Sequence, residues 1–159
     1  MLRHMAEPAD LSPTIVDMLY GEALTLADEE RAAFDLSGRL TAASENEDLA
    51  RIALSCEALR TTTRMMHAIA WLLNQRAYFA GELSEFQLRR HGRLPPARNE
   101  TPHEHIDAIG PRMAELVDRT RRFYARIERL DHAWRTRFEM HPAAVHRLRE
   151  RLGHAVGHL

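Results

Sequence analysis

The sequence of 159 residues contains 45% apolar and 28% charged side chains and has a formal net charge of −1 at pH 7. This length is typical of one domain with one hydrophobic core, so we expect no second domain. The longest apolar runs are interrupted by polar residues before they reach the ~20 residues that a membrane span requires. We therefore expect no membrane span and no membrane partner. Because the N-terminus lacks the apolar core and cleavage site of a signal peptide, we expect a cytoplasmic protein.

The first helix signal follows a short segment, residues 1–11, which we expect to form an N-terminal arm. Ser12 can cap a helix, and Pro13 occupies the first helical position, where the missing N–H is tolerated. A helical apolar face continues from there through Ile15, Leu19, Ala23, Leu26, Ala33, Leu36 and Leu40. A polar turn at residues 44–47 then separates this long helix from a second one that begins near Asp48.

The second helix has two neighbouring apolar surfaces. Residues at alternating spacings of three and four form the first, the apolar seam, which consists of Leu49, Ile52, Cys56, Leu59, Thr63, Met66, Ala70, Leu73, Ala77 and Ala80. This spacing is typical of helix-on-helix packing, so we expect the seam to lie in the core of a helical bundle. The second surface exceeds what two helices of the same chain can cover. It predicts a homodimer interface at Met65, Ile69, Leu72 and Phe79.

The remaining face of the second helix is polar and is called the polar strip here. It consists of Glu57, Arg60, Thr61, Arg64, His67, Trp71, Asn74 and Gln75. Tryptophan and arginine are strongly enriched in interface hot spots, which favours a partner-binding role for Arg60, Thr61, Arg64, His67, Trp71 and Gln75. The alternative interpretation is that Trp71 covers the edge of the core while the arginines pair with acidic residues of the first helix.

Shorter elements are predicted after Gly81, where the second helix ends. Ser84 and Gln87 have the spacing of a capping box for a short connecting helix that Gly92 ends, and residues 93–101 form a loop. A second capping box is predicted over residues 101–104. Its helix is short because Gly110-Pro111 follows.

The last long helix begins at Pro111. Its apolar face is formed by Met113, Leu116, Thr120, Phe123, Ile127, Leu130 and Trp134. We expect His141-Pro142 to end it. The sequence therefore predicts an all-α fold, with three long antiparallel helices and a short connecting helix forming a bundle over residues 12–140. Residues 141–159 are predicted to be a C-terminal tail that is partly helical or mobile.

Charge is unevenly distributed along the chain. Residues 1–50 contain eleven acidic residues and three arginines, whereas residues 112–137 contain eight arginines and four acidic residues. We expect the acidic first helix to lie beside the basic last one. The alternative function is nucleic-acid binding by Arg119, Arg121, Arg122, Arg126 and Arg129, but we expect these residues to lack the interleaved exposed aromatic side chains of a single-strand binder.

No pattern typical of an active site, a cofactor site or a metal site is present. His103 and His105 belong to the densest histidine cluster, but two residues apart on a helix they face different directions. There is no glycine-rich phosphate loop and no nucleophile elbow. We therefore expect a non-enzymatic protein without cofactor or metal, and an enzyme is a third, less favoured hypothesis.

The segment ALRTTTRMMHAIAWLLNQRA, followed by GEL, resembles the segment that marks the RcdA family of small all-α alphaproteobacterial proteins, named for regulation of CtrA degradation. The resemblance extends to residues 35–39 and 125–131 and covers roughly residues 15–134. It implies a three-helix-bundle homodimer that acts as a proteolytic adaptor. Its implied partners are other adaptor proteins, the ClpX unfoldase and cell-cycle regulators that are delivered to the ClpXP protease. The identity of this cargo does not follow from the resemblance.

Overall fold

The structure, a computed structural model, describes residues 11–42, 48–98 and 101–156, and the side chains of residues 11–37, 48–98 and 101–137. Its elements are α1 Pro13–Ala42, α2 Asp48–Phe79, α3 Glu85–His91, α4 His103–Ile109 and α5 Pro111–Val156. The all-α prediction is confirmed for this part of the chain. Residues 1–10 of the expected arm and the expected turn at 44–47 lie outside the described residues.

Side-chain contacts show that α1 and α2 are antiparallel. Near the start of α1, Asp17 accepts a hydrogen bond from Nε of Arg76 at 2.9 Å, close to the end of α2. Farther along α1, Glu30 accepts a hydrogen bond from the hydroxyl of Thr62 at 2.8 Å. Residue numbers thus rise along one helix as they fall along the other.

In contrast, α2 and α5 run in the same direction. Arg64 contacts Thr120, and Trp71 contacts Asp131, so residue numbers rise together along the two helices. The expected antiparallel order of the three long helices is therefore wrong for this pair. It fails because the chain travels back along the molecule between α2 and α5, through α3, a loop and α4.

Hydrogen bonds to α5 hold this returning segment in place. Their donor and acceptor residues, in order along the segment, are Arg135 with Arg89, Tyr124 with Pro95, Ala97 with Glu128, and Arg121 with Thr101. Three of them use backbone atoms of the segment. Leu88 and Leu94 are buried as well, so both apolar and polar contacts fix its path.

Helix ends follow most of the predicted capping signals. The hydroxyl of Ser12 accepts a hydrogen bond from the N–H of Ile15, and Ser84 and Gln87 form the predicted capping box of α3. The second predicted capping box is wrong. The residue before α4 is Pro102, whose ring has no polar atom that could cap the helix, and the hydroxyl of Thr101 accepts a hydrogen bond from Arg121.

Between α4 and α5, Gly110 has a φ of +81°, which is strained for residues with a Cβ. This single residue lets α5 begin at once at Pro111.

The predicted apolar face of α5 is confirmed, since Leu130 is half-buried and the other six residues are buried. The predicted break at His141-Pro142 is wrong, because α5 continues to Val156. A proline removes one backbone donor, but the helix-forming Ala and Arg residues that follow it in the sequence favour continuation.

The apolar core lies between α1, α2 and α5. Its members include Val16 and Leu26 of α1, Met65 of α2, and Phe123 and Ile127 of α5. Within the described residues, no helix combines the length and apolarity needed to span a membrane.

Candidate partner interface

The polar strip of α2 faces the interior of the protein. Its buried members are Glu57, Thr61, Arg64, Trp71 and Gln75. Trp71 is 2% exposed, while Arg60 and His67 are half-buried. The prediction that this strip is an exposed recognition surface is therefore wrong for Thr61, Arg64, Trp71 and Gln75. The structure brings these residues together on an inward face of α2, where Arg64 and Trp71 contact α5.

Two polar contacts to α5 explain why the strip is buried. The indole Nε1 of Trp71 donates a hydrogen bond to Oδ1 of Asp131 at 2.8 Å. Nη1 of Arg64 donates to the hydroxyl of Thr120 at 2.8 Å, and that hydroxyl donates in turn to the carbonyl of Val117. Without such partners, a buried polar group costs about 1–3 kcal/mol. The strip is thus the polar part of the core.

A group of charges lies around Arg64 at the middle of α2. Burial lowers the pKa of Arg64, and the charge of Arg121 acts in the same direction, whereas Glu57 and Glu30 oppose both. Burial likewise raises the pKa of Glu30, against the hydrogen bond from Thr62 and the charge of Arg64. The cost of removing Arg64 and Glu30 from water therefore exceeds the gain from their mutual attraction. Keeping both buried side chains charged is thus unfavourable.

Tyr124 of α5 extends this polar region toward the returning segment. Its pKa is raised to about 12, first by burial and then by the nearby charge of Glu128. Its hydroxyl donates a hydrogen bond to the carbonyl of Pro95. The phenol therefore stays protonated at neutral pH and acts as a structural donor.

The predicted dimer interface is largely internal. Met65 and Leu72 are buried in the core cluster, and Ile69 is half-buried against it. Phe79 is 36% exposed. The prediction is wrong for Met65 and Leu72, because the chain's own helices cover that side of α2.

The apolar seam is the exposed face of α2, contrary to the expectation that it lies in the core. Its large side chains are strongly exposed, with Leu59 at 70% and Met66 at 64%. Ile52 and Leu73 are exposed as well, and they mark a stripe of about three heptads, or about 32 Å. Scattered apolar residues are common on protein surfaces, whereas a continuous stripe indicates an interaction surface.

The basic face of α5 is largely neutralised by acidic residues. Arg119 pairs with Glu29 of α1 at 2.6 Å, and Arg126 pairs with Glu22 of the same helix. This confirms the expectation that the acidic α1 lies beside the basic α5. The remaining contacts of the predicted nucleic-acid set are Arg122 with Asp118 and Arg121 with Thr101, and Arg129 is exposed.

The histidine cluster around α4 does not form a metal site in the described part of the chain, where no group of three or more His, Cys, Asp or Glu side chains could hold an ion. The absence of a metal from the protein itself stays a prediction.

The sequence pattern predicted the wrong rotation of α2 about its own axis, and therefore the wrong inward face. Both of its faces have helical periodicity, and spacing alone does not distinguish a stripe that packs within the chain from one that packs on another molecule. One signal was present in α5, where Thr120 interrupts an otherwise mostly apolar buried face. A polar residue at such a position favours a polar partner on the facing helix.

We predict that Trp71→Ala strongly destabilises the protein. It removes a buried aromatic ring and the hydrogen bond to Asp131, and should lower the free energy of unfolding by about 3–5 kcal/mol. Phe86→Ala is the matched control, because Phe86 is 70% exposed and its removal should change stability by less than about 0.5 kcal/mol. Urea denaturation followed by circular dichroism measures both. Equal stability of the two variants would contradict the core assignment of Trp71.

We also predict a pH effect from Glu30. Its pKa is higher in the folded protein than the ordinary 4.5, so the folded state binds more protons in the interval between the two values. Stability is therefore greatest below pH 4.5 with respect to this group and declines as the pH rises through its folded pKa. The Glu30→Gln variant should lack the part of the stability decline that comes from Glu30. The control variant Glu115→Gln, at an exposed position on α5, should show the same decline as wild type.

Urea denaturation at intervals from pH 4.5 to neutrality measures this effect. If wild type and Glu30→Gln show the same slope of stability against pH, Glu30 does not titrate in this way.

Comparison with known proteins adds a family assignment. No curated protein and no solved structure matches the chain significantly. The profile of a protein family of unknown function, DUF1465, matches residues 8–156, which is most of the sequence and includes all five helices. The chain therefore belongs to the DUF1465 family.

Proposed function

We propose that the protein is a non-enzymatic, homodimeric adaptor in regulated proteolysis, and that two copies meet through the apolar seam of α2. The exposure of that seam is the observation that carries the proposal. Burying such a stripe removes apolar surface from water, which is the main driving force of protein association. An adaptor requires binding surfaces rather than an active site, and the exposed seam is a candidate binding surface.

The side-chain sizes along the seam favour a second copy of the same chain as its partner. Large residues recur every seven positions, at Ile52, Leu59, Met66 and Leu73. Smaller residues follow each of them by four positions, at Cys56, Thr63, Ala70 and Ala77. When two such helices cross about a two-fold axis, large side chains of one copy can fill the spaces beside small side chains of the other.

The adaptor role rests on the resemblance of the α2 segment to the RcdA family. That segment, residues 58–77, contains the central part of the exposed seam and most of the polar strip, so the residues that carry the resemblance also determine which face of α2 is available. On this proposal the dimer delivers cell-cycle regulators to the ClpXP protease, together with other adaptor proteins and the ClpX unfoldase.

Nucleic-acid binding by the arginines of α5 has less support. Contacts with phosphates require cations that are available to the ligand. Arg119 and Arg126 already pair with carboxylates of α1, and Arg122 pairs with Asp118 one turn away.

We predict that Met66→Glu converts a dimer into a monomer. Placing a charge in the middle of a buried seam should weaken association by about 2 kcal/mol or more, roughly thirtyfold in the dissociation constant. Met18→Glu is the matched control, since Met18 is an exposed methionine on α1, at 71% exposure. Sedimentation equilibrium at micromolar concentration measures the effect.

Cys56 supplies a second readout, because it is the protein's single cysteine and lies on the seam. Its alkylation should slow as the protein concentration of wild type rises, and should not slow for Met66→Glu. A monomeric wild type, or a Met66→Glu protein that sediments as a dimer, would exclude the seam as the interface.

The adaptor role predicts a direct effect on proteolysis. Immobilised protein should retain ClpX or its adaptors, and the cargo proteins, from cytoplasm of the source organism. Purified ClpXP should then degrade the captured cargo faster when this protein and its captured co-adaptors are present than when this protein alone is omitted. Equal degradation rates would contradict the adaptor role without bearing on the dimer.

A further inference from the structure

A second surface feature, an arginine-lined cleft, lies between α3 and α5, on residues that do not belong to the apolar seam. Its volume is about 800 Å³, and it is lined by Glu85, Phe86, Arg89, Arg90, Arg93 and Arg135. We call it the arginine cleft. Four arginines and one glutamate thus line the cleft.

Its least exposed arginine, Arg135, is held by the fold. Nε of Arg135 donates to both carboxylate oxygens of Asp131 at 3.1 Å, and Nη1 donates to the backbone carbonyl of Arg89 at 3.3 Å. These contacts tie the C-terminal half of α3 to α5, the two helices that border the cleft. Even when Arg89 is left out, Arg90, Arg93 and Arg135 outnumber the carboxylates of Asp131 and Glu85 at the cleft.

The cleft also offers an apolar contact. Phe86 is one turn before Arg90 on α3, and its ring is 70% exposed. An exposed phenylalanine beside several arginines is an arrangement that binds a mixed acidic and apolar segment, because guanidinium groups bind carboxylates in a bidentate manner and the ring packs on an apolar side chain.

We propose that the arginine cleft binds a short acidic peptide segment of a partner protein, one that carries carboxylates for Arg90 and Arg93 and an apolar side chain for Phe86. The size of the cleft is that of a pocket for a small ligand and suits a few residues of extended chain. This inference is independent of the seam dimer and of the adaptor role.

A nucleic acid fits this surface less well. A strand of nucleic acid needs a positive track that continues along its backbone. Beyond the cleft, Arg126 and Arg122 of α5 pair with Glu22 and Asp118, so carboxylates offset part of the positive charge along that helix. The four arginines of the cleft are instead grouped around one pocket.

Fluorescence anisotropy tests the proposal with a labelled peptide of about ten residues that alternates glutamate with leucine and contains one phenylalanine. The control peptide replaces each glutamate by glutamine. We expect the acidic peptide to bind about tenfold more tightly or better, with an affinity that falls as salt is added.

Substitutions in the chain locate the site. The double variant Arg90→Ala and Arg93→Ala should weaken binding of the acidic peptide by about tenfold or more, and Phe86→Ala by about threefold. Arg31→Ala is the matched control, because Arg31 is an exposed arginine on α1, and it should leave the affinity unchanged. All of these positions are exposed, so helicity and melting temperature should be preserved.

Three outcomes would overturn the proposal. The first is equal affinity for the acidic peptide and its glutamine control. The second is undiminished binding by the double arginine variant, which would place the peptide elsewhere. The third is tighter binding of a single-stranded oligonucleotide of about ten nucleotides than of the acidic peptide at the same salt concentration, which would assign the cleft to phosphate groups.

Discussion

The orientation of α2 depends on the contact between its polar strip and α5. The hydrogen bonds from Trp71 to Asp131 and from Arg64 to Thr120 are directional, whereas apolar contacts tolerate rotation of a helix about its axis. Together they fix which face of α2 points inward. Because the apolar seam lies on the opposite face, its exposure follows from the same two contacts. The candidate interaction surface is thus a consequence of polar contacts inside the core.

These contacts also set the register between two parallel helices. Burying Arg64 and Glu30 is unfavourable in itself, as the directions of their pKa shifts show, and a purely apolar face could give a more stable core. What Arg64 and Trp71 add is a preference for one register, because a rotated or shifted α2 would leave these two side chains buried without their partners on α5. Arg135 and Tyr124 do the same for the returning segment, since both bond to its backbone carbonyls.

The sequence predicted what local signals determine. The helix starts at Ser12-Pro13, Ser84 and Pro111, and the buried face of α5, agree with the structure. Two features required information from elsewhere in the chain. The rotation of α2 depends on partners about 60 residues away, such as Asp131 for Trp71, and an amphipathic period does not contain them. The parallel direction of α2 and α5 depends on hydrogen bonds to backbone atoms of the returning segment, and every residue type offers such atoms.

One carboxylate connects the core with the arginine cleft. Asp131 accepts the hydrogen bond of the buried Trp71 and also both contacts from Arg135, which lines the cleft. The negative charge that satisfies the indole therefore also orients a guanidinium group at the surface. Trp71 lies on the face of α2 opposite the apolar seam. Contacts therefore run continuously from α2 through Trp71 and Asp131 to Arg135 at the cleft. The two surfaces are separate in sequence and chemistry, and both depend on how α2 packs against α5.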